Sequence, residues 1–177
     1  MHKVVGHAIV AFAVGGALDM YRFPNALDGT AFATMELIEP DGSGPIPSEI
    51  GTYELIAFTK YKIDVDPEEV FNQAELRIWS MMTPIARLSY HEILNPLDTC
   101  EVPGKQDEPF RCVVLDEWKK PGIDFQIGDQ KHGLLLCIEI FRSEMEYAIQ
   151  NGSPSLFRLL RERGYYPFSD LDREPVI

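Results

Sequence analysis

GLLLCIEIFRSEMEYAIQNG, residues 133–152, is the stretch of this sequence that decides the fold. Its first part, 133–140, is almost continuously apolar, which is typical of a strand that is covered on both faces in the middle of a sheet. The second part has the signals of a helix, because Ser143 can cap the first turn and Asn151-Gly152 can end the last one. Glu144 and Glu146 lie where the helix dipole favours negative charge. The stretch therefore predicts a central strand followed by a helix.

A second helix and a further strand flank this stretch. Ser153-Pro154 favours a new helix start, and Gly164 suits its end because glycine readily adopts the left-handed conformation of a C-cap. The side chains predicted to be buried on this helix are Leu156, Phe157, Leu159 and Leu160. Upstream, the apolar run 110–118 predicts another strand.

The N-terminal third alternates between apolar and polar side chains in short runs. The runs 30–38 and 51–61 have the period of two that is typical of strands, and 17–23 is a shorter apolar-rich run. Asp28-Gly29 predicts a turn, and the proline- and glycine-rich segment 40–47 predicts a loop. Successive strands joined in this way predict an antiparallel meander.

The apolar segment 4–18 has some features of a signal peptide, including a lysine before it and small residues near its end. However, its positive region is the single Lys3, and His7 interrupts the apolar core. The segment is also too short to span a bilayer. We therefore expect it to be a buried first element of the fold, in a chain with no membrane association.

The strongest helix signal begins near residue 66. Asp66 is a candidate N-cap, Pro67 suits the first helical position, and Glu69 completes a variant of the capping box. Apolar residues then recur at helical spacing as far as Ile85. Because proline removes a donor and clashes with the preceding turn, we expect Pro84 to bend or end this helix, with a second short helix to about residue 91.

Together these elements predict an α+β (mixed α/β) fold with a central, mostly antiparallel sheet and helices packed against it. The 177 residues suit one domain, and no repeat or low-complexity linker divides them, so we assign 1–177 to a single domain. A chain of this size buries roughly 70% of its unfolded surface, which is enough for a core without metals or disulfides.

The chain is acidic throughout its length. Sixteen Lys and Arg against 28 Asp and Glu give a formal net charge of −12, and no third of the chain is basic. Binding to a phosphate backbone depends on cationic side chains, so we expect no nucleic-acid partner. A negative surface favours solubility or attraction to a basic protein.

Motifs for catalysis are weak, and we expect no metal, no cofactor and no catalytic residues. Five side chains match positions of a calcium-loop template: Asp64, Asp66, Glu68, Asn72 and Glu75. The template requires glycine at its sixth position for a sharp turn, and that position is Glu69. We therefore reject a calcium site and interpret these residues as the acidic start of the helix.

The cysteines and histidines are scattered singly. No two cysteines have C-x-x-C spacing, and His132 lies five residues before Cys137, which matches no standard zinc-ligand spacing. Cys112 and Cys137 lie in apolar runs, where a thiol is usually an inert small hydrophobe. An odd, sparse set of cysteines is typical of a reducing compartment, so we expect a cytoplasmic protein.

The order of several segments resembles the suppressor-of-fused family, in particular its small single-domain bacterial members. The segments are GALDMYRFP (16–24), DGTAFATMEL (28–37), GTYELIAFT (51–59), the stretch 133–152, then 156–160 and SDLDR (169–173). The resemblance covers nearly the whole chain. It implies one mixed α/β suppressor-of-fused-like domain that acts by protein contact. Animal members sequester a transcription factor, and bacterial members are thought to be immunity proteins against toxins; the resemblance implies no catalytic residues.

Two functions from different classes follow from these observations. The first is a non-catalytic protein-binding domain, such as an immunity protein that neutralises a cognate, basic bacterial toxin by direct contact. Trp118, Tyr165 and Tyr166 are its candidate partner contacts, because aromatic side chains near charged turns are common interface hot spots. The alternative is a small-molecule-binding protein or an enzyme with a polar pocket, involving His132 or Glu36. A closed pocket with converging titratable groups would favour this alternative.

Overall fold

A computed structural model describes residues 6–11, 17–35, 37–38, 43–104, 109–119 and 126–177. The strands are β1 (Gly6–Ala11), β2 (Ala17–Ala26), β3 (Gly29–Met35), β4 (Thr52–Thr59), β5 (Thr99–Val102), β6 (Arg111–Glu117), β7 (Gln126–Ile127) and β8 (Gln130–Ile140). The helices are α1 (Glu68–Ser89), α2 (Arg142–Asn151) and α3 (Ser153–Glu162). Among the described residues, no helix is both long and apolar enough to cross a membrane.

The described strands form one mixed sheet in the order β1-β2-β3-β4-β8-β6-β5, and β7 pairs with the start of β8. β4 and β8 run parallel, from Thr52 opposite His132 to Ile56 opposite Leu136. The other pairs along this order are antiparallel. The predicted α+β class with a mostly antiparallel sheet is confirmed, and so is the meander from β2 to β4. The predicted central strand is the second part of β8.

Each face of the sheet has its own hydrophobic core. The face under α1 includes Leu135 and Tyr53, whereas the face under α2 and α3 includes Leu136 and Phe58. Because neighbouring residues of a strand point to opposite faces, a strand covered on both sides must be apolar at successive positions. This explains the continuous apolar run of β8, in which Leu135, Leu136 and Ile138 are fully buried.

The apolar segment near the N-terminus contributes to the sheet. β1 lies at one end of the described strand order and pairs antiparallel with β2 over its whole length. Leu18, at the end of the segment, is buried. The remaining part of the prediction, the burial of residues 4–17, lies outside the residues whose side chains are described.

For α1, the predicted cap at Asp66 is wrong and so is an end at Pro84, whereas the alternative of a bend at Pro84 stays a prediction. Asp66 does not cap the helix: its Oδ2 atom accepts a hydrogen bond from the Lys62 backbone N–H at 2.6 Å, and the helix begins at Glu68 without a side-chain cap. Pro84 does not end the helix, which continues to Ser89. Burial explains this continuity, because Met81 and Ile85 are fully buried and each such side chain contributes about 1.5–3 kcal/mol. A helix-interior proline costs about 3 kcal/mol, so the packing outweighs it.

The start of α2 also differs from the prediction. The helix begins at Arg142, so Ser143 lies inside it and is not the cap. Instead, Glu144 reaches back and accepts a hydrogen bond from the Phe141 backbone N–H at 3.0 Å. The end of α2 at Asn151, with Gly152 as its C-cap, and the start of α3 at Ser153 agree with the sequence. Three of the four side chains predicted to be buried on α3 are buried: Leu156, Phe157 and Leu160.

Candidate partner-binding cleft

β4 and β8 separate at their carboxyl ends, and a C-terminal segment fills the gap between them. Their pairing stops at Ile56 and Leu136. Beyond this point, the Ser169 backbone N–H donates to the Phe58 carbonyl at 2.8 Å. The Ser169 hydroxyl donates to the Cys137 carbonyl at 3.0 Å. It also accepts a hydrogen bond from the Glu139 backbone N–H, at a distance of 3.3 Å. The crevice at the ends of parallel strands, where α/β proteins often bind ligands, is thus occupied by the protein's own chain.

Two aspartates of the same segment dock onto the end of β4. Asp170 accepts hydrogen bonds from the Thr59 hydroxyl and, at 2.8 Å, from the Lys60 backbone N–H. Burial raises the pKa of Asp170, and these two hydrogen bonds oppose the increase. Asp172 accepts a hydrogen bond from the Tyr61 hydroxyl at 2.7 Å. This bond is the largest reason that the pKa of Tyr61 is raised to about 12.

An open cleft of about 1050 Å³ lies beside this segment. We call it the α1 cleft; its walls are the first half of α1, the start of β6, the end of β8 and residues 169–172. Three of its apolar side chains are notably exposed: Val70 by 37%, Leu76 by 54% and Phe110 by 59%. Exposed apolar side chains gathered in one concave surface are typical of binding sites.

The floor of the α1 cleft contains paired charges. Glu139 is buried, and its carboxylate accepts hydrogen bonds from Arg77 at 2.7 and 3.1 Å. The Arg111 Nε atom lies 3.9 Å from the same carboxylate, and Arg142 pairs with Glu101. These arginines are therefore largely balanced by carboxylates.

The end of the α1 cleft around Tyr61 is acidic. Asp170 and Asp172 accept the hydrogen bonds described above from neutral donors, and Asp66 also acts electrostatically on the Tyr61 hydroxyl. Three carboxylates are therefore concentrated around Tyr61, and the ammonium of Lys60, which acts on Asp170, offsets only part of their charge. A cationic group placed at this end would be attracted, whereas an anionic group would be repelled.

The structure brings Trp118, Tyr165 and Tyr166 to the face of the sheet opposite α1. All three are half-buried at the border of the core beneath α2 and α3. The Trp118 ring lies 4.7 Å from that of Phe58, between ring centres, and the Tyr165 ring lies 4.8 Å from the Arg173 guanidinium.

Tyr166 has the most complete set of contacts among these three aromatic residues. Its hydroxyl donates to Asp116 at 2.9 Å, and the Arg161 guanidinium lies 4.0 Å from the centre of its ring. Burial is the main cause that raises the pKa of Tyr166 to about 12. Tyr165 and Tyr166 contact Arg173 and Asp116, Trp118 packs on Phe58, and none of the three belongs to the described lining of the α1 cleft. Their role as partner contacts stays a prediction.

His132 is the one residue of the enzyme alternative that lies within the described ranges. His132 is half-buried, and its Nδ1 atom lies 3.0 Å from the Thr52 hydroxyl on the neighbouring strand. Burial lowers the pKa of His132. Glu36 lies outside the described residues. Within the described ranges, no group of three or more His, Cys, Asp or Glu side chains is placed to hold a metal ion.

The three cysteines are free thiols, and two of them, Cys112 and Cys137, are buried. Burial raises the pKa of both. The thiolate is the reactive form of cysteine, so a raised pKa makes these thiols poor nucleophiles. They act as small core residues, as the apolar runs around them indicated.

No protein-family model matches this chain, and no curated protein is significantly similar to it. The resemblance to the suppressor-of-fused family therefore stays an expectation. Several residues of the segments that carry it have identifiable structural roles. Ser169, Asp170 and Arg173 join the C-terminal segment to the sheet and to α2.

Sequence reasoning did not identify the α1 cleft. One local signal was present, since Glu139 is a charged residue inside the apolar run of a central strand. Buried charges are normally paired, so this residue predicts a nearby cation. No comparable signal marks Tyr61 or Asp172, whose contact spans 111 residues of sequence.

Proposed function

We propose that this chain is a non-catalytic protein-binding domain that binds a basic protein through the α1 cleft. We further propose that it is a cytoplasmic immunity protein and that its partner is a bacterial toxin, the partner class that the family resemblance implies. One observation carries the proposal: exposed Val70 and Leu76 lie in the same cleft as the carboxylates of Asp170 and Asp172. Apolar anchors within a charged rim are typical of protein interfaces.

The charge of the whole chain supports the same partner. A net charge of −12 attracts a basic protein from a distance and accelerates the encounter. The acidic end of the α1 cleft then offers a local contact for lysine or arginine side chains. The arginines of the floor repel a basic partner only weakly, because Glu139 and Glu101 already balance most of their charge.

The titratable groups of the cleft support binding over catalysis. Glu139 holds two arginines, and Asp170 holds the C-terminal segment against β4. A general acid or base must exchange a proton with a substrate, and groups committed to the fold in this way are poorly suited to it. The open shape of the cleft also suits a protein surface better than a small molecule, which is usually enclosed.

The test is a stopped-flow binding measurement with purified candidate toxins, beginning with the product of the neighbouring gene. Leu76→Ala should accelerate dissociation by roughly tenfold, because it truncates an apolar anchor. Asp172→Asn should slow association and weaken its dependence on salt, because it removes a charge but keeps an acceptor for Tyr61. The matched controls are Leu27→Ala, which truncates a similarly exposed leucine, and Asp129→Asn, which removes an exposed charge elsewhere.

Two results would contradict the proposal. Equal effects of each variant and its control would place the interface outside the α1 cleft. Turnover of a small substrate by the purified protein, abolished by Glu139→Gln or His132→Gln in a folded variant, would favour the enzyme instead.

A further inference from the structure

The outer edge of β5 has no strand beside it among the described residues. β5 is the last strand in the sheet order and pairs only with β6, from Thr99 opposite Val114 to Val102 opposite Arg111. An open edge presents backbone donors and acceptors that can pair with another strand.

The hydrogen bonds before β5 show which of its residues face the open edge. The Leu97 N–H donates to the Leu115 carbonyl at 2.7 Å, and the Leu115 N–H donates to the Asp98 carbonyl at 2.8 Å. Two residues thus oppose one, with Leu97 at a φ of 75°, as in a β-bulge. Because bonding alternates along an antiparallel pair, residues 98, 100 and 102 point to β6. The N–H and C=O groups of Thr99 and Glu101 therefore point outwards.

Apolar surfaces lie at both ends of this edge. At the Thr99 end is a second open cleft, of about 620 Å³, which we call the β5 cleft. It includes three of the most exposed apolar side chains: Ile93, Leu97 and Ile149, exposed by 55%, 45% and 67%. At the other end, next to the Arg111 that pairs with Val102, is Phe110, exposed by 59%.

We infer that this chain forms a two-fold dimer in which β5 pairs antiparallel with β5 of a second copy. The register that uses all the outward groups sets Thr99 of each copy opposite Glu101 of the other. Antiparallel pairing then brings Phe110 of each copy to the β5 cleft of the other, so that the same apolar contact forms twice, once on each side of the two-fold axis. A surface that contains both a projecting group and its receptor, at opposite ends of one strand, is self-complementary in the way that a two-fold dimer requires.

The charges of β5 are compatible with this pairing. Glu101 would normally protect an edge strand, because an exposed charge opposes the approach of a second strand. Here Arg142 pairs with Glu101, and the register sets no carboxylate directly opposite another. The net charge of −12 still repels a second copy at long range, so salt should strengthen the dimer. This dependence is opposite in sign to that expected for a basic partner.

Sedimentation velocity of the purified chain, from micromolar to hundreds of micromolar and at low and high salt, tests the inference. The expected result is a reversible dimer whose dissociation constant falls as salt is added. Thr99→Pro should abolish the dimer and leave the monomer folded, because the proline replaces an outward N–H on an edge strand; Thr99→Val is its control. Phe110→Ala should weaken the dimer by roughly tenfold, whereas Met35→Ala, at a similarly exposed position on β3, should not.

Amide hydrogen exchange provides a measurement that requires no variant. The amides of Thr99 and Glu101 should gain protection as the concentration rises, whereas exchange at Cys100, already bonded to β6, should change less. A chain that stays monomeric in high salt, or a Thr99→Pro variant that dimerises like the wild type, would overturn the inference. Phe110 also lines the α1 cleft, so the toxin test is made at concentrations below those of self-association and uses Leu76 and Asp172, which take no part in the proposed dimer contact.

Discussion

The buried ion pair between Arg173 and Glu144 allows a quantitative prediction. Glu144 is fully buried, and Arg173 donates to its two oxygens at 2.6 and 2.8 Å. Glu144 also accepts from the backbone N–H groups of Phe141 and Val176 at 3.0 and 2.9 Å. One carboxylate therefore joins the C-terminal segment to the start of α2.

Arg173→Met should destabilise the protein strongly. The variant leaves a buried carboxylate with only two amide donors, and breaking a buried ion pair in this way costs about 3–5 kcal/mol of unfolding free energy. The guanidinium also contacts the rings of Phe141 and Tyr165, 5.0 and 4.8 Å from their centres, and these contacts are lost as well. For a chain of this length, the expected decrease in Tm is about 6–20 °C.

Urea unfolding followed by circular dichroism measures this effect. The double variant Arg173→Met with Glu144→Gln should recover part of the lost stability, because no uncompensated charge stays buried. A single-variant loss below about 1 kcal/mol would match an exposed ion pair and refute the reasoning. Strictly additive losses in the double variant would refute the coupling between the two side chains.

Three further predictions concern the core, the turn before α1 and the cleft. Leu136→Asp should abolish soluble expression, because the free-energy cost of burying an unpaired charge in β8 exceeds the unfolding free energy of a typical domain, about 5–15 kcal/mol. A normal yield of soluble protein would contradict the central position of β8. Asp66→Ala should lower the unfolding free energy by about 1 kcal/mol through the lost bond to Lys62, and an unchanged urea midpoint would show that this turn contributes nothing. Tyr61 keeps its proton up to about pH 12 in the folded chain, whereas an ordinary tyrosine loses it at about pH 10, so the free energy of unfolding should fall between these pH values. Tyr61→Phe should reduce that fall, and an unchanged alkaline unfolding profile would argue against the bond to Asp172.

The parts of the fold that depend on local patterns could be predicted from the sequence. The apolar run of β8 reports burial on two faces, and the alternation in β3 and β4 reports strands. Asn151-Gly152 and Gly164 marked helix ends because their backbone conformations, with φ of 83° at Gly152 and 69° at Gly164, favour glycine. Each of these signals is contained within a few neighbouring residues.

The wrong predictions concern groups with more than one available partner. Asp66 could accept from the first turn of α1 or from Lys62, and the sequence does not show which donor lies closer. Ser143 was a suitable cap by residue type, but Glu144 reaches the Phe141 N–H from inside the helix. Pro84 disfavours a helix locally, whereas the sheet that stabilises α1 is distant in sequence.

The candidate cleft depends on long-range pairing that no local pattern encodes. Its acidic end requires residues 170–172 to reach the end of β4. Its floor requires α1 to cross β8, so that Arg77 meets Glu139 across 62 residues of sequence. Trp118, Tyr165 and Tyr166 are residue types that are common in interfaces. Their half-buried environment depends on contacts between residues far apart in sequence, such as that of Tyr166 with Asp116, which no local pattern encodes.

The insertion of residues 168–170 between β4 and β8 affects how the protein is made. Thr59 and Asp170 are separated by 111 residues, which a ribosome adds in roughly 6–22 s at its usual rate of about 5–20 residues per second. During that interval the carboxyl end of β4 has no permanent neighbour on one side, and the nascent chain exposes apolar side chains such as Phe58. The meander can form early, but the two halves of the sheet are joined there only when the segment around Ser169 has emerged. A nascent chain stalled before this point would therefore be a substrate for chaperones, and synonymous codons that slow translation between β4 and this segment should increase its aggregation.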